Sequence, residues 1–474
     1  GKERYGPPIF KHLSVAQEDG TVNWLHPYKY FVEAVGEIKI PLPMEDMGIV
    51  TDATFKYILT RLDRLNGSRI RIKPWSLDQA INGIVGNPYA RGMNMSTSAG
   101  FFFGKVKRNL VNQVNENGVL KYIVSGQVIE RTNEILNCLC RGESVGTVIT
   151  CALKDEIRSR SKIETAKTRV FCVGDMSMLI LSRMFFGPLF TLMQEFSEAF
   201  GCAIGINTHT DSDSLARRLF EFSSLFMAGD YSEYDTRMSP GITLIASTVI
   251  YRLLQAMGYD DRDMIIVQSL LTDSYFPQYI LDGVVFSSVG STPSGEYGTA
   301  ERNSLKGLVI LIYAYLKLKP QDLDIETFGS NVLPVTYGDD LVAAVCPRIS
   351  EWFHNVNFAK IVKNLGMTYT DPNKRINLSP FFTFSEITFL KRRFIFANGK
   401  YHMPLEWDSI GKSLSYIIPS KYIGYYDQRM SCLLSAMYEI RIHARTTVAL
   451  NGKSVCKENV DYGNLVFCEY KRRF

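Results

Sequence analysis

A chain of 474 residues with 46% hydrophobic and 21% charged residues has the composition of a folded protein with a sizeable core, which excludes wholesale disorder. Its formal net charge of +5 is spread too thinly over this length to name a partner, so only clustering of the basic residues is informative. The nine cysteines offer a lone C-x-C pair, Cys138 and Cys140, and the six histidines show no ligand spacing, so the pattern speaks against structural zinc.

The first residues, Gly1 to Pro8, are polar and do not read as a signal peptide. Residues 1–185 mix short strand-like and helix-like stretches interrupted by Gly and Pro. Leu179 to Phe200 reads as an apolar helix with a kink at Pro188. Ser223 to Asp230 is a short apolar run ending in a charge, the pattern of a buried strand that delivers a carboxylate to a cleft. Residues 240–290 read as a helical insertion followed by strands around Tyr275 to Ser288. Tyr297 to Lys319 is a second long helix, and its apolar run Leu308 to Leu316 is too short to span a bilayer. Asn331 to Cys346 reads as a hairpin, Asn357 to Gly366 as a helix closed by its glycine, and Ile387 to Phe396 as a strand pair. From about Ala397 onward helical stretches could form a separate small lobe. Strand, helix, hairpin and helix over residues 223–366 predict a sheet backed by helices, in a soluble intracellular protein.

Two strand ends offer carboxylates: Asp230, and Asp339 with Asp340 at the hairpin tip, where Gly338 permits a tight turn. Carboxylates converging from separate strands are what two-metal nucleotidyl transfer needs, and Mg2+ favours oxygen ligands over histidine or thiolate. A Gly-Asp-Asp turn is also a common surface turn, so by itself the tetrapeptide decides little. Residues 154–169 set six basic residues against three acidic ones, a net +3 that suits a triphosphate but equally a solvated face.

Several segments together resemble the RNA-dependent RNA polymerases of picornavirus-like positive-strand viruses. Gly229-Asp230-Tyr231-Ser232-Glu233-Tyr234-Asp235 through Pro240 looks like motif A, and Ser291-Thr292-Pro293-Ser294-Gly295 with Thr299 and Asn303 looks like motif B. Tyr337-Gly338-Asp339-Asp340 is similar to motif C, and the three occur in the family's order. The resemblance implies that Asp230 and Asp339 are the main metal ligands, that Asp340 assists, and that Asp235, Ser294, Gly295, Thr299 and Asn303 bind the nucleotide and sense its ribose. Polar groups that pair with a 2′-hydroxyl penalise deoxyribose when left unpaired. The basic segment resembles motif F, which implies that Lys154, Arg158, Lys162, Lys167 and Arg169 line the nucleotide channel, with Arg160 left as a surface residue. Ser96 to Gly100 resembles the motif G loop, so Thr97, Ser98, Ala99 and Gly100 would guide template. Met367 to Lys374 is similar to motif D, whose terminal lysine, here Lys374, would be the general acid for pyrophosphate. Phe389-Leu390-Lys391-Arg392 looks like motif E, whose basic pair Lys391 and Arg392 would grip the primer.

The resemblance implies an α+β right-hand polymerase with an RRM-like antiparallel palm sheet and an encircled active site. Fingers would comprise 1–185 and 240–290, palm 186–239 and 291–396, and thumb 397–474. Two Mg2+ ions are implied as cofactors, with Mn2+ able to substitute. The implied partners are RNA template and primer, ribonucleoside triphosphates, a small protein primer and other viral replication proteins. The implied location is the host cytoplasm, at membrane-associated replication complexes, with only indirect membrane contact. Gly1 resembles the glycine left by polyprotein cleavage, while Glu296-Tyr297 and Ala166 depart from the family's small residues. A reverse transcriptase also carries a Tyr-x-Asp-Asp hairpin, but it gates against the 2′-hydroxyl where Asp235 and Asn303 would welcome it. A non-catalytic RNA-binding protein would have no use for Asp230, Asp339 and the basic segment together.

Overall fold

The structure, a computed structural model, describes residues 5–16, 20–116, 118–373, 375–420 and 423–449. At its centre four antiparallel strands lie in the order Val332–Tyr337, Asp340–Val345, Phe226–Tyr231 and Tyr369–Thr370. Along the chain these strands alternate with the helices Thr299–Leu318 and Asn355–Asn364 as strand, helix, strand, strand, helix, strand. That is the ferredoxin-like or RRM-like arrangement.

Two-residue periodicity decides which side chain meets which layer. Met227, Leu341, Ala343 and Val345 join the main core with the helices. Phe226, Ala228, Val342 and Ala344 join a second core with Phe382, Ile387 and Phe389. With both faces covered, the strands read as apolar runs, and polar groups concentrate at their ends.

The helix Thr299–Leu318 is buried at every position from Arg302 through Tyr315, so it is a core helix rather than an amphipathic surface helix. The helix expected over Leu179 to Phe200 runs instead over Met176–Glu195, with Pro188 inside it. It begins earlier because the Asp175 carboxylate accepts the Ser177 amide at 2.7 Å and the Met178 amide at 3.3 Å, an N-cap that apolar periodicity does not register. By length and composition this helix could cross a membrane, but 83% of its apolar window is buried inside the protein. Phe185, Phe186, Leu189 and Phe190 are part of the main core.

A second sheet orders Val284–Ser287, Gln278–Leu281, Val148–Leu153 and Val170–Val173. Gln278–Leu281 runs parallel to Val148–Leu153, so the 240–290 segment returns to pair with the N-terminal part of the chain. Tyr5–Gly6 pairs with Arg158–Ser159, and the Thr168 hydroxyl donates to the Ile9 carbonyl at 2.7 Å, so the N-terminal segment braces the basic stretch.

Toward the C-terminal end, short hairpins over 388–393 and 395–402 lead to the helices Trp407–Ser415 and Tyr425–Ala449. The longer helix is tied back by Glu439, which is buried and accepts from Arg392 at 2.7 and 3.0 Å and from the Leu405 amide at 3.1 Å. Removing one partner of a buried pair strands the other charge. Glu439→Ala is therefore expected to destabilise the protein by about 3–5 kcal/mol, read as a lower denaturant midpoint.

Candidate active site

Tyr337 and Asp340 face each other across the hairpin, and Gly338 adopts φ +62°, the left-handed conformation its turn requires. Leu341 pairs with Gly229, so one step further the register sets Asp340 across from Asp230, while Asp339 sits exposed at the tip. On its other side the Asp230 strand pairs with Tyr369–Thr370. The Leu390 amide donates to Asp340 Oδ2 at 2.6 Å, from the turn that carries Lys391. Burial pushes the Asp340 carboxyl up to about 6; the Leu390 amide and Lys391 oppose the rise, and the charges of Asp339 and Asp230 add to it. Three carboxylates thus share one field. Among the described residues no group of three or more histidine, cysteine, aspartate or glutamate side chains is placed to hold a metal ion. The donors present are carboxylate oxygens, the ligand type Mg2+ takes together with waters and substrate phosphates.

Beside these carboxylates, Asn303 Nδ2 donates to Asp235 Oδ1 at 2.5 Å. Since the carboxylate accepts, the amide nitrogen must face Asp235, and Asn303 Oδ1 is left buried with no hydrogen-bond partner. Burial raises the Asp235 carboxyl against the pull of the Asn303 hydrogen bond; Asp339 adds to the rise, and Lys306 and Arg169 oppose it. Thr299 points elsewhere: its hydroxyl donates to the Glu296 carbonyl at 2.7 Å and caps the 293–296 turn. Ser294 Oγ accepts the Cys172 amide at 3.1 Å, and a Cβ on Gly295 would lie 1.7 Å from the Cys172 carbonyl oxygen. Only glycine permits that approach of the loop to the second sheet. Glu296, unusual by resemblance, points inward toward Arg302 at 3.7 Å, while buried Lys306 donates to Thr292. The loop is therefore held from beneath by an internal charge cluster.

The basic stretch is partly neutralised from within. Glu156 lies 3.2 Å from Lys154, 2.8 Å from Arg158 and 3.6 Å from Arg169, and Arg158 also donates to the Lys167 carbonyl at 2.9 Å. Lys162 is exposed on the short helix Arg160–Glu164, where Arg160 pairs with Glu164 at 3.1 Å. Thr97 and Ser98 are exposed, while Ala99 and Gly100 are buried against the start of the Met176–Glu195 helix, whose Met176 amide donates to the Ala99 carbonyl at 3.0 Å. Lys391 is exposed, whereas Arg392 is committed to Glu439. Lys374 lies outside the described residues, as does Gly1.

Two supporting residues escape sequence reasoning. Buried Lys107 donates to Thr97 Oγ1 at 2.6 Å and to the Ser98 carbonyl at 2.9 Å, holding the 96–100 loop. Ser304 Oγ, fully buried, accepts the Gly338 amide at 2.8 Å, tying the carboxylate-bearing turn to the helix that carries Asn303. The only available signal was a small hydroxyl inside an apolar helix, next to Asn303.

Residues 68–447 match the family of viral RNA-dependent RNA polymerases, and the chain belongs to that family. It is 25% identical over 360 residues to the replicase polyprotein of Cricket paralysis virus, a match covering 72% of this chain and 20% of that polyprotein. It is 29% identical over 331 residues to the genome polyprotein of Human hepatitis A virus genotype IIA, covering 67% of this chain and 14% of that polyprotein. The chain thus spans about a fifth or less of the length of these curated relatives. Its fold is shared with a sicinivirus 3Dpol RNA-dependent RNA polymerase at a TM-score of 0.73, with 19% identity over 98% of this chain and 93% of that one. The right-hand polymerase fold expected from the motifs is the fold observed.

The Gly338 amide is partly buried, and left without its acceptor it costs about 1 kcal/mol, which would loosen the turn. Ser304→Ala is expected to slow single-nucleotide extension about tenfold. Circular dichroism should show the fold retained.

Proposed function

We propose that this chain adds ribonucleotides to an RNA 3′ end, directed by an RNA template, and so replicates a positive-strand viral genome. The observation that carries the ribonucleotide reading is the Asp235–Asn303 pair beside the carboxylates, with Asn303 Oδ1 left unsatisfied. A ribose 2′-hydroxyl can donate to that oxygen, and a deoxyribose cannot.

Asp230, Asp339 and Asp340 would hold two Mg2+ ions, with Mn2+ able to replace them. When bound, the ions supply activation of the attacking 3′-hydroxyl and neutralisation of the leaving pyrophosphate. Lys154, Arg158, Lys162, Lys167 and Arg169 would bind the triphosphate, and Lys374 would protonate the departing pyrophosphate. Ser294, Gly295 and Thr299 would shape the loop over the nascent pair. Thr97, Ser98, Ala99 and Gly100 would pass template, and Lys391 with Arg392 would sit by the primer backbone, Arg392 acting through its tie to Glu439.

We assign fingers to 1–185 and 240–290, palm to 186–239 and 291–396, and thumb to 397–474. Template and primer RNA, ribonucleoside triphosphates, a small protein primer and other viral replication proteins are the partners of this reading. Its setting is the host cytoplasm at membrane-associated replication complexes.

Primer extension on an RNA template with Mg2+ tests the proposal. Asp339→Ala should abolish synthesis with the melting midpoint preserved, and retained synthesis would refute the assignment. Asn303→Ala should narrow the preference for ribo- over deoxynucleotides by roughly 10- to 100-fold, the worth of one unpaired buried polar group.

A further inference from the structure

Five of the basic stretch's cations have carboxylate neighbours, and one of these neighbours, Glu233, comes from elsewhere. Glu156 serves Lys154, Arg158 and Arg169 from within the stretch itself. Lys167 instead lies 3.3 Å from Glu233, which sits between Asp230 and Asp235 in the segment that carries the catalytic carboxylate. The same Glu233 carboxylate accepts Arg237 Nε at 2.7 Å, and Arg237 in turn bonds Glu37. Glu37, Arg237, Glu233 and Lys167 form a line of alternating charge. It runs from the N-terminal segment, past the Asp230–Asp235 turn, to the nucleotide channel.

The backbone at Glu233 is held at φ +53° and ψ +44°, the left-handed region that non-glycine residues seldom occupy. Strain of this kind persists where the surroundings over-determine it, and it clusters at functional sites. Here the side chain so placed is the only glutamate of the segment and meets two cations. Lys167 is 41% exposed, so its ammonium can change partners, and a triphosphate offers it more negative charge than one carboxylate does.

We infer that Glu233 is a positioning residue for nucleotide selection. Its carboxylate holds Lys167 when the channel is empty and surrenders it to the incoming triphosphate. Nucleotide binding is then an exchange of anions on Lys167, and the released Glu233 remains with Arg237, so the Asp230–Asp235 segment is relieved of its link to the channel wall only when nucleotide is present. This rests on the reading of Lys167 as a triphosphate ligand.

Steady-state extension by Glu233→Gln, Lys167→Ala and the double variant tests the inference. Lys167→Ala is expected to raise the nucleotide KM. Glu233→Gln is expected to lower it about threefold, the worth of one partly exposed ion pair, with the effect in KM rather than kcat. In the Lys167→Ala background the Glu233→Gln change should disappear. Glu233→Gly, which also relieves the backbone, should lower KM as Gln does and raise the melting midpoint. An unchanged KM in Glu233→Gln, or the same drop in both backgrounds, overturns the inference while leaving Lys167 a triphosphate ligand. A Lys167→Ala enzyme with ordinary KM overturns both the inference and the reading beneath it.

Discussion

Like charges brought together at a strand end repel, and the centre of this molecule is organised around holding three of them. Asp230 and Asp340 are neighbours by sheet register, Asp339 is at the turn beside them, and their mutual field helps push the Asp340 carboxyl up to about 6. Nothing in the carboxylates themselves would keep them there. Two apolar layers fix the register of the strands, because a slip of one residue would send each core side chain to the wrong face. The Ser304 hydroxyl and the Leu390 amide then pin the turn from two directions.

Much of this was legible in the chain. The apolar run from Ser223 to Asp230 announces a buried strand, and Asn331 to Cys346 announces a hairpin with Gly338 in its turn. The motif pattern then links Asp230, Asp235, Asn303 and Asp339 across more than a hundred residues. Helix starts were less legible, as the Asp175 cap shows, because a cap is a local hydrogen bond and not a period.

What stayed hidden were partnerships made only by tertiary proximity. Arg302 and Lys306 are cations buried in a core helix, where Glu296 and Thr292 of the loop above supply their partners. Arg392 looks like a free RNA-binding cation until Glu439, 47 residues on, claims it. Lys107 and Ser304 hold loops whose own sequences suggest nothing about who holds them. Each is a buried polar group, a type whose placement hydrophobic pattern cannot forecast because its benefit depends entirely on a distant partner.

The strand bearing Asp230 bonds along its outer edge to Tyr369–Thr370, with the Thr370 hydroxyl reaching the Asp230 carbonyl from 140 residues away in sequence. At a synthesis rate of about 5–20 residues per second, those partners emerge roughly 7–30 s apart. Through that interval the strand has an apolar body and an unpaired edge, the kind of surface that templates wrong pairings. The central sheet can thus close only once residues 369–370 have emerged, well after the Asp230 strand itself. The geometry that makes the site also delays its completion during synthesis.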